Sequence, residues 1–338
     1  MTAKTDMPKD DLPTVAALAV LAACVVTVAH EALGHGSACL INGGHITLLS
    51  SALFRCSIRS LWIDPAGPAM DLAVGTVALI AGRFVAAPAA RLFFLLVMTL
   101  SYGWESGYAF HAMLTQDGDL YFAARDLFGA PSLWWRIVGG AAGVACYLVN
   151  VRLTAAGLSR LWPQAAQARR VARVAGLAAV AASGLAALAY AGPGWRDLHD
   201  AILEVASGAV PLLIIPRWQG PFGDGVILTR SPAVIVIAIL FFGVFAAILG
   251  HGIAKASNAS IKPSRQASYC LEGRPIDYTK ASNASIRPSR RASFCLEGRP
   301  IDYTKASNAS IRPSRRAQPI FQNALSRGFM PNGARAST

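Results

Sequence analysis

Between Leu12 and His251 the chain alternates long apolar runs with short polar breaks. Six runs, Leu12–Leu33, Met70–Arg91, Leu92–Leu114, Leu133–Val151, Val171–Ala191 and Pro232–His251, have the length of a helix crossing a bilayer, which needs roughly 20 residues for about 30 Å of hydrocarbon. Each predicts a membrane-spanning helix. A seventh run, Leu198–Ile215, contains Asp200, Glu204 and Pro211; it reads either as a span or as a segment that lies at the interface or re-enters. The first run follows Lys4 and Lys9 like the core of a signal peptide, but it lacks a small-residue cleavage site and is read as a retained span.

The pattern changes at Lys255. The segment K-A-S-N-A-S-I-K-P-S-R-Q-A-S-Y-C-L-E-G-R-P-I-D-Y-T returns almost unchanged at Lys280 and begins again at Lys305, a period of 25 residues. The units lack a helical or strand-like apolar face and are rich in Ser, Pro, Arg and Asn, so a disordered tail is expected. Three parts result: a polar N-terminal segment 1–11, a membrane domain 12–254 with its core in 12–125, and a basic tail 255–338. The fold class expected is all-α and polytopic, with about six transmembrane helices and room for a seventh. A short re-entrant or β-like loop is expected after the first helix.

Composition supports this division. Of 338 residues 54% are hydrophobic and 14% charged, which excludes an ordinary soluble domain of this size. The chain reads as an integral, multi-pass protein of the cell membrane, of the bacterial inner-membrane kind. Of the net charge of +13, +11 lies in 255–338; the membrane body is nearly neutral. A basic tail after the last span suits contact with anionic lipid, and no specific nucleic-acid partner is expected. The N-A-S triplets and Arg290–Ser293, which resembles a kinase site, are short patterns carried by the repeat. The six cysteines form no C-x-x-C pair and two are copies within the repeat, so neither a disulfide framework nor a zinc ribbon is expected.

Chemistry enters at Ala29–Gly36, A-H-E-A-L-G-H-G. In a regular helix, histidines at i and i+4 lie about 40° apart and can grip one metal, with the intervening glutamate placed to activate its water. His30 and His35 stand at i and i+5, which opens the angle to about 140°. One π-type wide turn absorbs the extra residue and removes the divergence, and Gly34 makes that distortion less costly. His30-Glu31-Ala32-Leu33-Gly34-His35 resembles the H-E-L-L-G-H of dipeptidyl-peptidase-III-type zinc peptidases.

Zinc needs a third protein ligand beside an open position for water. A chain that leaves the membrane after His35 re-enters near Asp64–Asp71, crosses, returns through the third run and emerges near Thr115–Asp119. The end of span one, the start of span two and the end of span three therefore share a face, which makes Asp117 and Asp119 the acids best placed to complete the set.

His30-Glu31…Gly34-His35, Ala66-Gly67-Pro68 and Asp117-Gly118 together, over about the first 125 residues, resemble the site-2-protease type of intramembrane zinc metalloprotease. That family joins an H-E-x-G-H span to a Gly-Pro segment opening another span and an Asp-Gly motif supplying the third ligand. The resemblance implies that Glu31 is the catalytic base and that Zn²⁺ is held by His30, His35 and either Asp117 or Asp119. It also implies that Gly67, Pro68 and Asp71 contact substrate, with Asp71 alternatively competing as a ligand. The Gly43–Phe54 stretch would supply strands able to pair with an unwound substrate, or else reads as a plain surface loop. The chain departs from the family pattern in the inserted residue, in Asp71 where relatives often carry asparagine, and in Asp-Gly-Asp without its usual lead-in.

Among other polar residues, Glu105 reads as a buried partner in a polar network. His111 reads as a ligand in place of an aspartate or as a donor to a neighbouring helix. His45 is a candidate beside the substrate, while His199 and His251 read as interfacial. Six histidines are too few for the boxes of a membrane di-iron oxygenase. The expected activity is zinc-dependent hydrolysis of peptide bonds in transmembrane or juxtamembrane segments, so the expected partners are a membrane-protein or peptide substrate and the lipid bilayer. Two rival readings are an inactive metal-binding interaction protein and a small-solute transporter using Glu105, Asp71 and Asp119. Six spans place the tail beside the Arg152–Arg173 connection on the cytoplasmic side with the site outside; a seventh span reverses the site.

Overall fold

The computed structural model describes residues 10–129, 131–192, 194–214, 225–254, 295–296 and 299–300. It divides into two compact units, Met1–Asn258 and Ala259–Thr338. In the second, Cys295–Leu296 pairs antiparallel with Arg299–Pro300; the rest of the expected disordered tail lies outside the described residues.

The first unit is mostly helical. α1 (Leu12–Thr27) begins at Asp11, whose carboxylate accepts from the Thr14 N–H with Pro13 following in the first turn, a strong start signal. It continues without a break into a π-helical segment, Val28–Gly36, and a short α2 (Ser37–Ile41). The expected wide turn at the two histidines is present. A β-hairpin follows, β1 (Ile46–Leu49) with β2 (Phe54–Cys56). Then come α3 (Ala66–Phe84), α4 (Pro88–Thr115), α5 (Asp119–Phe128), α6 (Leu133–Leu161), α7 (Ala165–Leu188), α8 (Gly194–Ile214) and α9 (Pro232–Phe245). A second π-helical segment, Ala246–Gly250, leads to β3 (Ile253–Ala254), which adds to the free side of β1.

Among the described residues four helical stretches are long and apolar enough to cross a membrane: Leu12–Ile41, Leu133–Leu161, Ala165–Leu188 and Pro232–Gly250. The other two expected runs, Met70–Arg91 and Leu92–Leu114, fold as α3 and α4, whose Asp71, Ser101, Glu105 and Ser106 are turned inward and buried. The outer surfaces of α6 and α9 expose Leu148, Ile237, Leu240 and Phe241, apolar faces of the kind a bilayer covers.

Hydrogen bonds define two ends of this bundle. At one, Asp10 accepts from Trp162 Nε1 and the Leu228 N–H, and the Ser231 N–H donates to Thr14 Oγ1; the starts of α1, α7 and α9 and the end of α6 meet there. At the other, Arg136 donates to the Met113 and Leu114 carbonyls, and the Ala191 N–H donates to His251 O. The π-segment, the hairpin, α5 and β3 occupy that end. α8 carries the chain from it toward the other end along α4 and α7. This corrects the six-span arrangement: the chain reaches Ala254 at the π-segment end, not beside the Arg152–Arg173 connection.

Two corrections concern cysteines and strands. Cys39, in α2, and Cys56, in β2, form a disulfide with Cα atoms 5.9 Å apart. They lie 17 residues apart in sequence, and only the folding back of the hairpin brings them together. β1, expected as a strand open to substrate, is flanked by β2 and β3.

Candidate metal centre

The π-segment is buried against α3, and two glycines make the contact. A Cβ on Gly34 would lie 2.6 Å from Gly67 Cα, so only a pair of glycines lets the two backbones approach this closely. A Cβ on Gly67 would overlap His35 Nε2 and lie 2.7 Å from His30 Nε2. Gly67 thus leaves open the space on which both imidazoles converge.

Each imidazole is fixed from behind. His30 Nδ1 lies 2.9 Å from Asp71 Oδ2 and its ring stacks on Trp104 at 4.6 Å. His35 Nδ1 donates to the Ile63 carbonyl at 2.7 Å, and its ring stacks on Phe54 at 5.4 Å. A backbone carbonyl only accepts, so the His35 proton sits on Nδ1; the Asp71 carboxylate selects the same tautomer for His30. Both Nε2 atoms then present lone pairs to the same point.

The third group comes from the α4–α5 turn. Gln116 and Gly118 adopt positive φ, 62° and 99°, and a side chain on Gly118 would strike the Tyr108 hydroxyl. The turn places Asp119 at the first position of α5. Its Oδ2 lies 3.2 Å from His35 Nε2 and 3.5 Å from His30 Nε2, and the two Nε2 atoms are 3.2 Å apart. Ligands about 2.0–2.1 Å from a tetrahedral zinc stand roughly 3.3 Å from one another. The three atoms therefore form one face of such a tetrahedron.

Electrostatics agree with the geometry. Burial pushes the Asp119 carboxyl up, but when His35 and His30 are protonated their charge outweighs this and holds it well below the usual carboxylate range. Asp64, nearby, is raised by burial and by Asp119. With both Nδ1 protons committed and the Nε2 atoms unprotonated, a metal ion would supply that positive charge instead and use all three lone pairs at once. The residues fit zinc, a nitrogen- and oxygen-binding metal that takes three protein ligands in catalytic sites.

A cavity of about 190 Å³ opens beside this centre, lined by Glu31, His35, Phe54, Tyr108, Asp119 and Glu204 among others. Glu31 is buried at its wall. Asp117, the alternative third ligand, is exposed at the rim and its carboxylate accepts from the Gly118 N–H; it does not join the cluster. Gly67, Pro68 and Asp71 were expected to contact substrate. They are buried and do not line this cavity, because the close packing of α3 on the π-segment puts them behind the histidines. Glu105 Oε1 lies 3.3 Å from His30 Nδ1, so His30, Asp71 and Glu105 form a second buried group adjoining the first. His111 stacks on Tyr108 in the cavity wall, ring centroids 6.0 Å apart, and does not belong to the group of converging ligand atoms. His45 and His251 are exposed and line no part of the cavity.

α8 supplies what sequence reasoning missed. His199, Asp200, Leu203 and Glu204 line the cavity opposite the π-segment, and Glu204 is buried with Oε2 lacking a hydrogen-bond partner among the described residues. The signal was the presence of Asp200 and Glu204 in an otherwise apolar run.

Comparison of the chain with family models, curated proteins and solved structures finds no match. Fold and site define a helical protein with four candidate membrane spans and a buried His/Asp/Glu cluster able to hold a metal ion.

Proposed function

We propose that the chain is an intramembrane zinc peptidase with His30, His35 and Asp119 as ligands and Glu31 as catalytic base. One observation carries the reading: two imidazoles with committed Nδ1 protons and one carboxylate converge at 3.2–3.5 Å, beside a cavity walled by a buried glutamate. The likeness of the motif set to site-2-type proteases supports it. A zinc ion held there would polarise a scissile carbonyl and acidify a water. Glu31 takes the proton of the attacking water and passes it to the leaving nitrogen. Asp71 and the Ile63 carbonyl hold the two imidazoles in register throughout, and Trp104 and Phe54 keep bulk water from their faces. The substrate is an unwound transmembrane or juxtamembrane segment, because a folded helix keeps its backbone amides engaged within itself.

Two observations favour an orientation with the site on the extracytoplasmic side. Among the described residues Arg83, Arg91, Arg160, Arg169, Arg170 and Arg173 lie near the ends of α3, α4, α6 and α7 remote from the site, against Arg55, Arg59, Arg125 and Arg136 at the site end, and the positive-inside rule assigns the richer end to the cytoplasm. The Cys39–Cys56 disulfide lies at the site end, and disulfides persist in oxidising compartments.

The test is a survey of new N-termini in membranes of cells carrying the wild-type chain or Glu31→Gln. Termini inside or beside transmembrane segments that require Glu31 are expected. A Glu31→Gln profile equal to wild type, from a chain that holds zinc, would overturn the peptidase and leave a metal-binding interaction protein.

A further inference from the structure

At the bundle end remote from the metal centre, α3, α4 and α6 enclose a cavity of about 350 Å³, within the range of small-molecule sites, roughly 300–1,000 Å³. Its walls are apolar: Leu79, Phe94, Leu95 and Met98 line it. Gly82 and Gly157 sit in its wall, where the helices pack closely. A Cβ on Gly157 would collide with Leu95, and one on Gly82 would lie 3.4 Å from Phe94 Cβ. Three arginines, Arg83, Arg91 and Arg160, stand around the same cavity with their residues exposed. Among the described residues none of the three pairs with a carboxylate, and Arg91 Nε donates to the Val85 carbonyl. Among the described residues, Asp10 and Asp11 at this end are already engaged, Asp10 by Trp162, Gln167 and Leu228 and Asp11 by Thr14.

We propose that this cavity is a binding site for one anionic phospholipid. Three guanidinium groups without a carboxylate partner among the described residues, at the end of a helical bundle, match a phosphate headgroup by charge and hydrogen-bond geometry. The apolar interior beneath them takes the start of the acyl chains, and basic pockets between membrane helices have this division of labour. The site lies at the opposite end of the bundle from the metal centre and does not depend on the peptidase reading.

The test titrates the full chain in neutral detergent with phosphatidylglycerol or phosphatidylcholine and counts bound lipids by native mass spectrometry. Wild type is expected to hold one phosphatidylglycerol with at least about tenfold preference over phosphatidylcholine, and the combined Arg83→Gln, Arg91→Gln, Arg160→Gln variant to lose that preference. Arg169→Gln with Arg170→Gln and Arg173→Gln, which removes charge from the same end outside the cavity, is expected to keep it. Gly82→Leu, which fills the cavity and leaves every arginine in place, is expected to lose it, and decides the matter should the triple cavity variant fail to fold. Glycerol phosphate in excess should not displace the lipid. Equal preference in wild type and both cavity variants, equal loss in the surface control, or displacement by glycerol phosphate would each overturn the proposal.

Discussion

The π-helical segment Val28–Gly36 at the end of α1 and its counterpart Ala246–Gly250 at the end of α9 widen the backbone in the same manner at the same end of the bundle. In the second the sequence is A-A-I-L-G, and the wide turn ends where Gly250 packs on the Ala186 carbonyl of α7, a Cβ there lying 2.7 Å from that oxygen. Its consequence is a change of direction, after which β3 reaches β1. In the first, the extra residue separates two histidines, and the wide turn puts their Nε2 atoms 3.2 Å apart. A wide turn is therefore a neutral device. Chemistry appears where it brings together donor atoms that a regular helix would hold apart.

Substitutions can break this comparison, in descending order of effect. Gly67→Ala places a methyl group on the point where the two Nε2 atoms converge. Zinc affinity, read by competition with a fluorescent chelator, should fall by more than the roughly 10–100-fold that removing a supporting carboxylate costs. Asp71→Ala removes that support from His30 Nδ1 and should itself cost about 10–100-fold in affinity. Deleting Ala32, a residue of the first π-segment, leaves His-Glu-Leu-Gly-His; a regular helix then brings the histidines about 40° apart, and zinc should be retained within about tenfold. The smallest effect on the metal belongs to Gly250→Ala. Overpacking against the Ala186 carbonyl should cost about 1–3 kcal/mol of stability in a denaturant titration and leave zinc affinity unchanged. A Gly250→Ala chain that loses zinc as Gly67→Ala does would erase the distinction between the two segments.

Much of the site was legible because it rests on local spacing and on a topological constraint. The i, i+5 histidines require a wide turn in order to converge, and three segment ends that share a face bring Asp119 to them. The remainder depends on contacts distant in sequence. Choosing Asp119 over Asp117 needs the turn at Gln116–Gly118, whose positive φ values are not written in Asp-Gly-Asp. Asp71 reads as a substrate contact or a competing ligand, and its place 2.9 Å from His30 Nδ1 depends on the Gly34–Gly67 approach. Cys39 and Cys56 become neighbours only when the hairpin folds. Asp200 and Glu204 made α8 look like a doubtful span. They line the cavity beside the candidate metal centre, and a run that looks too polar for lipid is accounted for by the cavity it walls.

The most direct measurement is the zinc content of the full chain purified in detergent, wild type beside His35→Ala and Glu31→Gln. The account predicts about one zinc per chain in wild type and Glu31→Gln, since Glu31 stands outside the ligand set, and near none in His35→Ala. A wild-type chain that takes up no zinc after reconstitution, or a His35→Ala chain that keeps it, would contradict the convergence of His30, His35 and Asp119 on one metal.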